Sequence, residues 1–349
     1  MDITHPSHVH FFKHVIWELQ RRAHNILITA RDKDVTLKLL DAYSLEYVDL
    51  GRSGHGAAGL MRELVMRDYR LYKVAKCFKP DLLISESGLF VAQVGKMIGR
   101  PSLVFADTEH AKLANAITFP FADVICTPIC YKSSLGEKHI KYRGYKELAY
   151  LHPHYFEPDE SVLEELCLSK DERFIILRFV SWEASHDFGQ YGFNDIFELV
   201  EELSKHGRVL ITSEKALPHG LQEYAVEISP EKIHHLLDYA TVYIGEGGTM
   251  ASEAAVLGIP SIFVSSLTLG YLEELEHRYG LVYSFSSQDK ALGKALSLLS
   301  SKDIKEKWQA KRRKMLNEKI DVTQFMLDVI EVMSTKGWNQ GGIRSVLPE

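Results

Sequence analysis

Short apolar runs alternate with helical patterns along most of this 349-residue chain. In the first part, runs typical of buried strands occupy residues 26–30, 45–50, 80–85, 101–106 and 122–127. Helical patterns separate them, over residues 9–22, 57–78 and 90–98. Strands that helices cover on both faces have nearly continuous apolar sequences, whereas half-exposed strands alternate apolar and polar residues. The alternation therefore predicts an α/β fold built on a parallel sheet.

The pattern breaks once, over residues 148–171, where prolines and acidic residues favour a linker. It then restarts, with strand patterns at residues 173–180, 208–212, 241–245 and 261–265. We therefore predict two doubly wound, Rossmann-like domains, 1–150 and 151–349. The charged helical stretch at 302–334 is assigned to the second domain, and its crossing back to the first stays open. Ligands of such sheets bind at the carboxyl ends of the strands, which predicts an active site in a cleft between the domains.

The composition argues against several classes of protein. Lys and Arg total 41 against 47 for Asp and Glu, so the net charge of −6 disfavours nucleic acid as a partner. The four cysteines form no Cys-x-x-Cys pair, which is typical of free thiols in a reducing compartment and predicts no metal site. No stretch approaches the roughly 20 apolar residues of a membrane span, and the polar start lacks a signal-peptide pattern. We expect a cytoplasmic protein without a cofactor.

The most informative segment is a strand that runs into a glycine-rich turn, Gly245-Glu246-Gly247-Gly248, followed by a short helix that carries Glu253. Glycines let a backbone approach a ligand closely and adopt positive φ. The start of a helix suits a diphosphate, and a carboxylate nearby can accept hydroxyl hydrogen bonds from a ribose. Alternatively, the turn is a tight strand–helix connection in which Glu253 is merely favourable near a helix N-terminus.

This segment resembles the nucleotide-sugar motif of the GT-B superfamily. It is similar to that of the peptidoglycan N-acetylglucosaminyl transferases of the MurG type, which share the spacing from Gly247 to Glu253. The nonhydrolysing UDP-GlcNAc 2-epimerases share the stretch from Glu253 to Pro260, but place their glycines one residue closer. The whole chain also resembles an uncharacterised, largely archaeal family of chains about this long, a domain of unknown function. Its marks are residues 5–12 (HPSHVHFF), 107–110 (DTEH), 150–153 (YLHP) and 181–187 (SWEASHD).

The resemblance implies two Rossmann-like domains of the GT-B type that bind a nucleoside-diphosphate sugar, with UDP as the expected nucleotide. It also implies contacts with the donor. They fall to Glu253 and its neighbour Ser252 for the ribose, to Gly247, Gly248 and Thr249 for the diphosphate, to the backbone near Ile228 and Ser229 for the base, and to the loop of Thr268 and Tyr271 for the sugar. The first strand and loop of the second domain add Arg178 and Ser181. Arg178 suits a phosphate by geometry, with a buried ion pair as the alternative.

Four histidines lie at the first strand–helix turn, at positions 5, 8, 10 and 14. In transferases that resemble this chain, the same turn carries a histidine, and His8 matches it best. A neutral imidazole there can take a proton from an acceptor hydroxyl, whereas a protonated one would steady a leaving phosphate. His10 and His14, four residues apart on a helix, leave metal binding as an alternative, and capping is a third.

Acidic residues follow two further strands of the first domain, and we expect them at the same edge of the sheet. Glu86 is expected to contact the substrate, and Asp107 and Glu109 to be catalytic together with His8. Paired carboxylates are what an epimerase needs to move a proton on and off a sugar carbon. Glu109 roughly matches a glutamate of the 2-epimerases, although a further acidic position is missing at residues 114–116. Helix capping is the alternative for both Asp107 and Glu109.

Three functions remain open from the sequence. The leading hypothesis is a metal-independent glycosyltransferase, the second is a sugar epimerase, and the third is a nucleotide-sugar-binding protein without catalysis. The acceptor would be a glycan or a lipid-linked molecule. Basic residues amid leucines at 59–79 suit contact with an anionic membrane surface, but Glu63 and Asp68 dilute them and a solvated helix face is the favoured interpretation.

Overall fold

The chain folds into two compact units, each with its own parallel sheet. The computed structural model describes residues 1–52, 56–109, 111–180, 193–214 and 216–334. One unit contains residues 1–150 and the last described helix, and the other spans Leu151–Lys319. The helical stretch that the sequence assigns to the second domain is therefore split. Its first helix lies in the second unit, and its last lies in the first.

The first unit has a seven-stranded sheet in the order β3-β2-β1-β4-β5-β6-β7, and all neighbouring strands run parallel. Its strands are β1 (Asp2–Ile3), β2 (Thr29–Asp32), β3 (Val48–Arg52), β4 (Leu83–Glu86), β5 (Ser102–Phe105), β6 (Val124–Pro128) and β7 (His139–Tyr142). The helices between them are α1 (Pro6–Arg21), α2 (Thr36–Ala42), α3 (Gly56–Phe78), α4 (Leu89–Ile98) and α5 (Lys112–Thr118), and α6 (Leu148–Leu151) follows. This is the doubly wound order that the alternation predicts.

The second unit has a five-stranded parallel sheet in the order β12-β11-β10-β8-β9. Its strands are β8 (Phe174–Phe179), β9 (Arg208–Ser213), β10 (Val242–Gly245), β11 (Ser261–Val264) and β12 (Val282–Phe285). The helices are α7 (Ser161–Glu165), α8 (Ile196–Ser204), α9 (Ile233–Tyr239), α10 (Gly248–Leu257), α11 (Gly270–Glu274, continued by a π-helical turn to Tyr279), α12 (Gln288–Leu299) and α13 (Ile304–Glu318).

Local sequence explains where the two functionally important helices begin and end. His5 caps α1 by accepting a hydrogen bond from the Ser7 backbone, and Pro6 occupies the first helical position, where its missing N–H costs nothing. Helix α10 ends at Gly258, whose φ of 79° is left-handed. The Gly258 N–H donates to the Ala255 carbonyl at 3.0 Å and closes the helix. Pro260 then leads into β11.

The final helix, α14 (Val322–Ser334), packs on the first unit through apolar and polar contacts. The Phe325 ring lies 4.9 Å from the Tyr142 ring between centroids, and the Thr323 hydroxyl donates to the Ala149 carbonyl at 2.8 Å. These contacts are why the helical stretch does not stay with the second unit. No helix among the described residues combines the length and the apolar character that crossing a bilayer requires.

Candidate functional site

Each sheet has one point where the strand order reverses, and polar side chains gather at both. In the first unit the reversal lies between β1 and β4, and in the second between β8 and β10. Helices leave the sheet on opposite sides at such a point, so a crevice opens beyond the carboxyl ends of the two strands, where ligands of this fold class bind. The sequence predicts site residues at both points.

In the first unit, four ionisable side chains form a connected cluster, which we call the ionic cluster: His8, Glu86, Asp107 and Lys146. Lys146 Nζ lies 3.1 Å from Glu86 Oε1 and 2.9 Å from Asp107 Oδ2. His8 Nε2 lies 3.6 Å from the other oxygen of Glu86. His8 comes from the first turn of α1, Glu86 ends β4 and Asp107 follows β5, so the fold brings together residues up to 138 positions apart. The sequence analysis missed Lys146, because no motif surrounds it.

Burial and the lysine charge set the protonation states of this cluster. Burial raises the pKa of Glu86 to about 7, and the nearby Lys146 charge only partly offsets it. Burial also opposes ionisation of Asp107, but the charge and hydrogen bond of Lys146 outweigh it and keep the pKa of Asp107 below its usual value. The pKa values of two carboxyl groups on one lysine are therefore shifted in opposite directions, which is the pattern of an acid–base site.

His8 is neutral, and its hydrogen bonds fix its tautomer. Burial first, and the Lys146 charge second, lower the pKa of His8 to about 3. The Thr4 backbone N–H donates to His8 Nδ1 at 3.4 Å. Because a backbone amide can only donate, Nδ1 holds the lone pair and the ring proton sits on Nε2, facing Glu86. The basic nitrogen of His8 is therefore already engaged, and Asp107 is better placed to take the acceptor's proton; the catalytic role of His8 stays a prediction.

Glu109 lies near the cluster in sequence but is used differently. One of its oxygens accepts hydrogen bonds from the backbone N–H groups of Lys132 and Ser133, at 2.5 and 3.1 Å. The carboxylate thus holds the loop after β6, and no contact among the described residues joins it to the ionic cluster. His110 lies outside the described residues. In the structure, Glu86, expected only to contact the substrate, belongs to the ionic cluster, and Glu109, expected to be catalytic, does not.

His10 and His14 occupy aromatic surroundings. Tyr43 makes a hydrogen bond with His10 Nδ1 at 3.2 Å, and the Tyr150 ring lies 5.5 Å from the His10 ring. His14 packs edge-on against Trp17 with the ring centroids 5.2 Å apart. Within the described ranges, neither histidine joins a group of potential metal ligands. Their contacts explain their position without a metal.

In the second unit, the glycine-rich turn connects β10 directly to α10, with Gly247 as the N-cap. None of Gly245, Gly247 and Gly248 has a positive φ, in contrast to the expectation. Space is the reason for glycine at two of them. A Cβ on Gly245 would lie 2.2 Å from the Tyr243 hydroxyl, and one on Gly248 would lie 2.4 Å from Leu269 Cδ1. The first turn of α10 therefore lies tight against the loop after β11, the loop that the resemblance assigns to the donor sugar.

Glu253, the predicted ribose ligand, is buried and paired. Its Oε1 lies 2.9 Å from His234 Nε2, and both side chains are at most 5% exposed. The partner comes from α9, on whose inner side His234 is buried with Leu236 and Leu237. A histidine on the buried side of a short apolar helix is a signal that the sequence analysis passed over. Ser252 is fully buried, and its hydroxyl donates to the Thr249 carbonyl at 2.8 Å. The hydroxyl proton is therefore used in a hydrogen bond within α10.

Arg178 forms an ion pair beside the glycine-rich turn, and the pair is partly exposed rather than buried; its contact with a phosphate stays a prediction. It pairs with Gly245 in the sheet register, and its side chain contacts Glu214 at 2.8 Å while remaining 23% exposed. Next to it, Glu246 accepts backbone hydrogen bonds from Val180 at 3.0 Å and Phe193 at 2.9 Å. Ser181 lies outside the described residues.

The remaining residues predicted to contact the donor differ in their burial and in how closely they approach the glycine-rich turn. Tyr271 is buried, and its hydroxyl would lie 2.7 Å from a Cβ on Gly248. Thr268 is exposed on the loop before it, and Thr249 is half-buried in α10. Ser229 is exposed and Ile228 half-buried, just ahead of the short 3-10 turn Pro230–Lys232 that leads into α9. The structure therefore associates Tyr271 closely with the turn.

Two Rossmann-like parallel sheets, each with polar residues at its switch point, define a chain of the GT-B class. The chain belongs to the family described as "Protein of unknown function (DUF354)", whose profile matches residues 1–333. An uncharacterized protein of Methanocaldococcus jannaschii is 26% identical over 276 residues, which cover 75% of this chain and 80% of that protein.

Solved structures resemble this chain in fold. A putative UDP-N-acetylglucosamine 2-epimerase from Listeria monocytogenes has a TM-score of 0.69 at 13% identity and covers 95% of each chain. The glycosyltransferase SsfS6 of Streptomyces sp. SF2575, complexed with thymidine diphosphate, has a TM-score of 0.61 at 14% identity and covers 93% of this chain and 99% of its own. At these identities the likeness establishes the fold alone, which is the fold that the sequence resemblance predicts.

Proposed function

We propose that the protein is a glycosyltransferase that moves a sugar from a nucleoside-diphosphate donor to an acceptor hydroxyl. The observation that carries the proposal is the ionic cluster at the switch point of the first unit, where one lysine contacts two carboxyl groups whose pKa values are shifted in opposite directions. Such a cluster is suited to accept the proton that an acceptor hydroxyl must lose during transfer. The two structural relatives, one named for UDP-N-acetylglucosamine and one complexed with thymidine diphosphate, support a nucleoside diphosphate as ligand.

The donor is proposed to bind at the switch point of the second unit. The N-terminus of α10 presents backbone N–H groups and the positive end of its dipole to the diphosphate. Arg178, partly exposed beside the same turn, would add a cation next to it. Together they would stabilise the negative charge that grows on the diphosphate as the sugar leaves, and this is the role that a metal ion plays in other transferases.

Glu253 is proposed to bind the ribose through its carboxylate, with His234 holding one of the oxygens. Because His234 takes Oε1, the ribose would meet a carboxylate whose orientation is already fixed. Fixing a binding group before the ligand arrives lowers the entropy lost on binding. Thr268 and Tyr271, on the loop packed against Gly248, would lie next to the sugar.

A turnover assay tests the proposal. UDP-, TDP- and GDP-sugars are offered with a panel of glycan and lipid-linked acceptors, and release of the nucleoside diphosphate is followed. We expect release with the wild type that depends on an acceptor. Asp107→Asn should abolish that release while donor binding persists, and Glu253→Gln should weaken donor binding. Turnover of the wild type that Asp107→Asn leaves unchanged would exclude the ionic cluster from the chemistry.

A sugar epimerase is the second candidate, and the two carboxyl groups on Lys146 favour it. Epimerisation needs one group to remove a proton and another to return it, and the pKa values of Glu86 and Asp107 are shifted in opposite directions, as such a pair requires. Conversion of UDP-GlcNAc to its manno epimer, without any acceptor, would place this candidate first. Donor binding without turnover in either assay would instead favour a nucleotide-sugar-binding protein.

The acceptor is proposed to be presented at an anionic membrane surface, through the outer face of α3. Val65, Met66 and Tyr69 are 61, 41 and 51% exposed on this helix, and Lys73 and Lys76 continue the same face toward its end. The single acid of residues 64–79, Asp68, is half-buried. Exposed apolar side chains beside lysines suit the headgroup region of an anionic bilayer, which would fit a lipid-linked acceptor.

A further inference from the structure

We propose that Asp107, Lys146 and Glu86 form a proton relay in which Asp107 accepts the proton of the acceptor hydroxyl and Glu86 stores it. The inference rests on the proposed transferase function and assigns separate tasks within the ionic cluster. It replaces His8 as the proton acceptor, for the tautomeric reason given above.

Accessibility distinguishes the two ends of the relay. The side chain of Asp107 is 14% exposed, compared with 8% for Lys146 and 5% for Glu86. The Thr108 hydroxyl donates to Asp107 Oδ1 at 2.8 Å, and Lys146 holds Oδ2, so the accessible carboxylate is fixed on both oxygens. A substrate hydroxyl that reaches the cluster would therefore meet Asp107 first. Lys146 and Glu86 lie behind it and act through it.

The inner end carries an unsatisfied oxygen. Among the described residues, Glu86 Oε2 is buried and has no hydrogen-bond partner, because the Nε2–H of His8 that faces it lies 3.6 Å away, beyond hydrogen-bond range. A buried carboxylate oxygen without a donor in range is costly, and the cost falls when the carboxyl group is neutral. The proton that neutralises it would come from Lys146, which contacts the other oxygen, Oε1. Burial as the main cause, with Lys146 opposing it, holds the pKa of Glu86 at about 7, close to the range where a proton store must work.

The transfer of the proton balances as follows. The acceptor oxygen forms its bond to the anomeric carbon and gives its proton to the Asp107 carboxylate, while the bond from that carbon to the diphosphate oxygen breaks and its electron pair leaves with the nucleoside diphosphate. Asp107 then passes a proton to Lys146 as the lysine gives one of its own to the Glu86 carboxylate. Asp107 and Lys146 return to their charged forms, and Glu86 ends as a carboxylic acid.

The titration of Glu86 depends on the groups that surround it on every side. They are His8 from α1, Asp107 after β5 and Lys146 before α6, with Asp2 of β1 acting on His8. His8 remains neutral across this pH range, so a change of charge near pH 7 belongs to the carboxyl groups. Asp68, in the same unit, behaves similarly, since burial and then Asp2 raise its pKa to about 7. Asp68→Asn is therefore the matched control.

Infrared titration of the substrate-free protein tests the store without any activity. We expect a carboxylic-acid C=O band that disappears as the pH rises through about 7, the pKa of Glu86. Glu86→Gln should remove the part of the band intensity that comes from Glu86, and Asp68→Asn should remove a separate part. Lys146→Met should move the loss of the Glu86 part to higher pH. A band that is the same in Glu86→Gln and the wild type overturns the proposal.

The pH profile of kcat tests the relay itself. In the wild type kcat should rise as Glu86 ionises, and Glu86→Gln should lower kcat at least tenfold and remove that rise, within the usual range for a proton-transfer group. Lys146→Arg should restore part of what Lys146→Met loses, and Asp68→Asn should match the wild type. An unchanged profile in Glu86→Gln overturns the relay and leaves the transferase standing. Absence of transfer by the wild type with any donor overturns the function and the relay together, whatever the infrared result.

Discussion

His234 and Glu253 form a buried pair at the centre of the second unit, with Nε2 and Oε1 2.9 Å apart. The pair joins α9 to α10, and α10 begins at the glycine-rich turn. The residue predicted to bind the ribose is thus also part of the packing between two helices. Any test of Glu253 in binding must therefore separate ligand contact from stability.

Removal of His234 should destabilise the fold. His234→Ala leaves a buried carboxylate without its partner, which typically costs about 3–5 kcal/mol. Urea unfolding at pH 7 measures the change in the free energy of unfolding. The exposed His206 provides the control, since His206→Ala should change that free energy by less than about 0.5 kcal/mol. Equal stability of the two variants would show that the pair contributes nothing.

A methyl group on Gly248 should disturb the donor turn. In Gly248→Ala the new Cβ would lie 2.4 Å from Leu269 Cδ1, so the loop or the helix must shift, at about 1–3 kcal/mol. Gly293 in α12 has no atom within 4 Å of such a Cβ, and Gly293→Ala should be neutral or slightly stabilising. Thermal unfolding compares the two. If Gly248→Ala is as stable as Gly293→Ala, close packing is not the reason for glycine at the turn.

Replacing Lys146 alone should destabilise the fold more than replacing Lys146 and Glu86 together. Lys146→Met leaves Glu86 and Asp107 buried without a cation, which should cost about 3–5 kcal/mol. Lys146→Met with Glu86→Gln removes one of the two acids and should recover part of that loss. Chemical denaturation at pH 7 measures both, with Lys38→Met on the exposed side of α2 as the control. Additive losses would contradict the coupling.

Stability should depend on pH through Glu86. Its pKa is raised from 4.5 to about 7 in the folded chain, so the folded state binds more protons between these values. The resulting stabilisation is fully present below pH 4.5 and is lost as the pH rises through about 7, and it amounts to about 3 kcal/mol. Urea unfolding of the wild type and Glu86→Gln at pH 5 and pH 8 isolates this contribution. An identical pH dependence in both proteins would refute it.

The outer face of α3 should bind anionic vesicles. We expect the protein to sediment with phosphatidylglycerol vesicles and not with phosphatidylcholine vesicles. Lys73→Glu with Lys76→Glu should reduce binding at least tenfold, because each lysine contributes about 1 kcal/mol near such a surface. The control reverses Lys302 and Lys305, which are exposed in the other unit. Equal loss in the control pair would mean that the attraction is not specific to α3.

The sequence predicts the interior of each sheet well, because buried parallel strands such as β8 (FIILRF) and β10 (VYIG) are largely apolar runs. It misses β7 (HIKY) and β12 (VYSF), where edge positions let polar and exposed residues enter the strand. It also misplaces α14, whose partners Tyr142 and Ala149 lie more than 170 positions away from it along the chain. A contact at that distance leaves no local pattern.

The candidate sites show the same limit. The strand–helix turns that carry them can be predicted from local signals, namely His5-Pro6 at the start of α1 and the glycines before α10. The partners Lys146 and His234 cannot, because each meets its carboxylate only after the strands have paired. The surroundings of His8 and Glu109 also could not be predicted from a motif, because hydrogen bonds from the Thr4 and Lys132 backbones position them, and their catalytic roles stay predictions.

Calorimetric titration with UDP and TDP tests whether the second unit binds a nucleoside diphosphate through the α10 turn and Glu253. Glu253→Gln retains an acceptor for His234 but loses the charge, and the exposed Glu201→Gln on α8 is its control. We expect binding by the wild type and by Glu201→Gln, and a 10- to 100-fold weaker affinity for Glu253→Gln, about 1.5–3 kcal/mol for a charge-assisted hydrogen bond. Binding of neither nucleotide by the folded wild type, or equal affinity in folded Glu253→Gln, would contradict it.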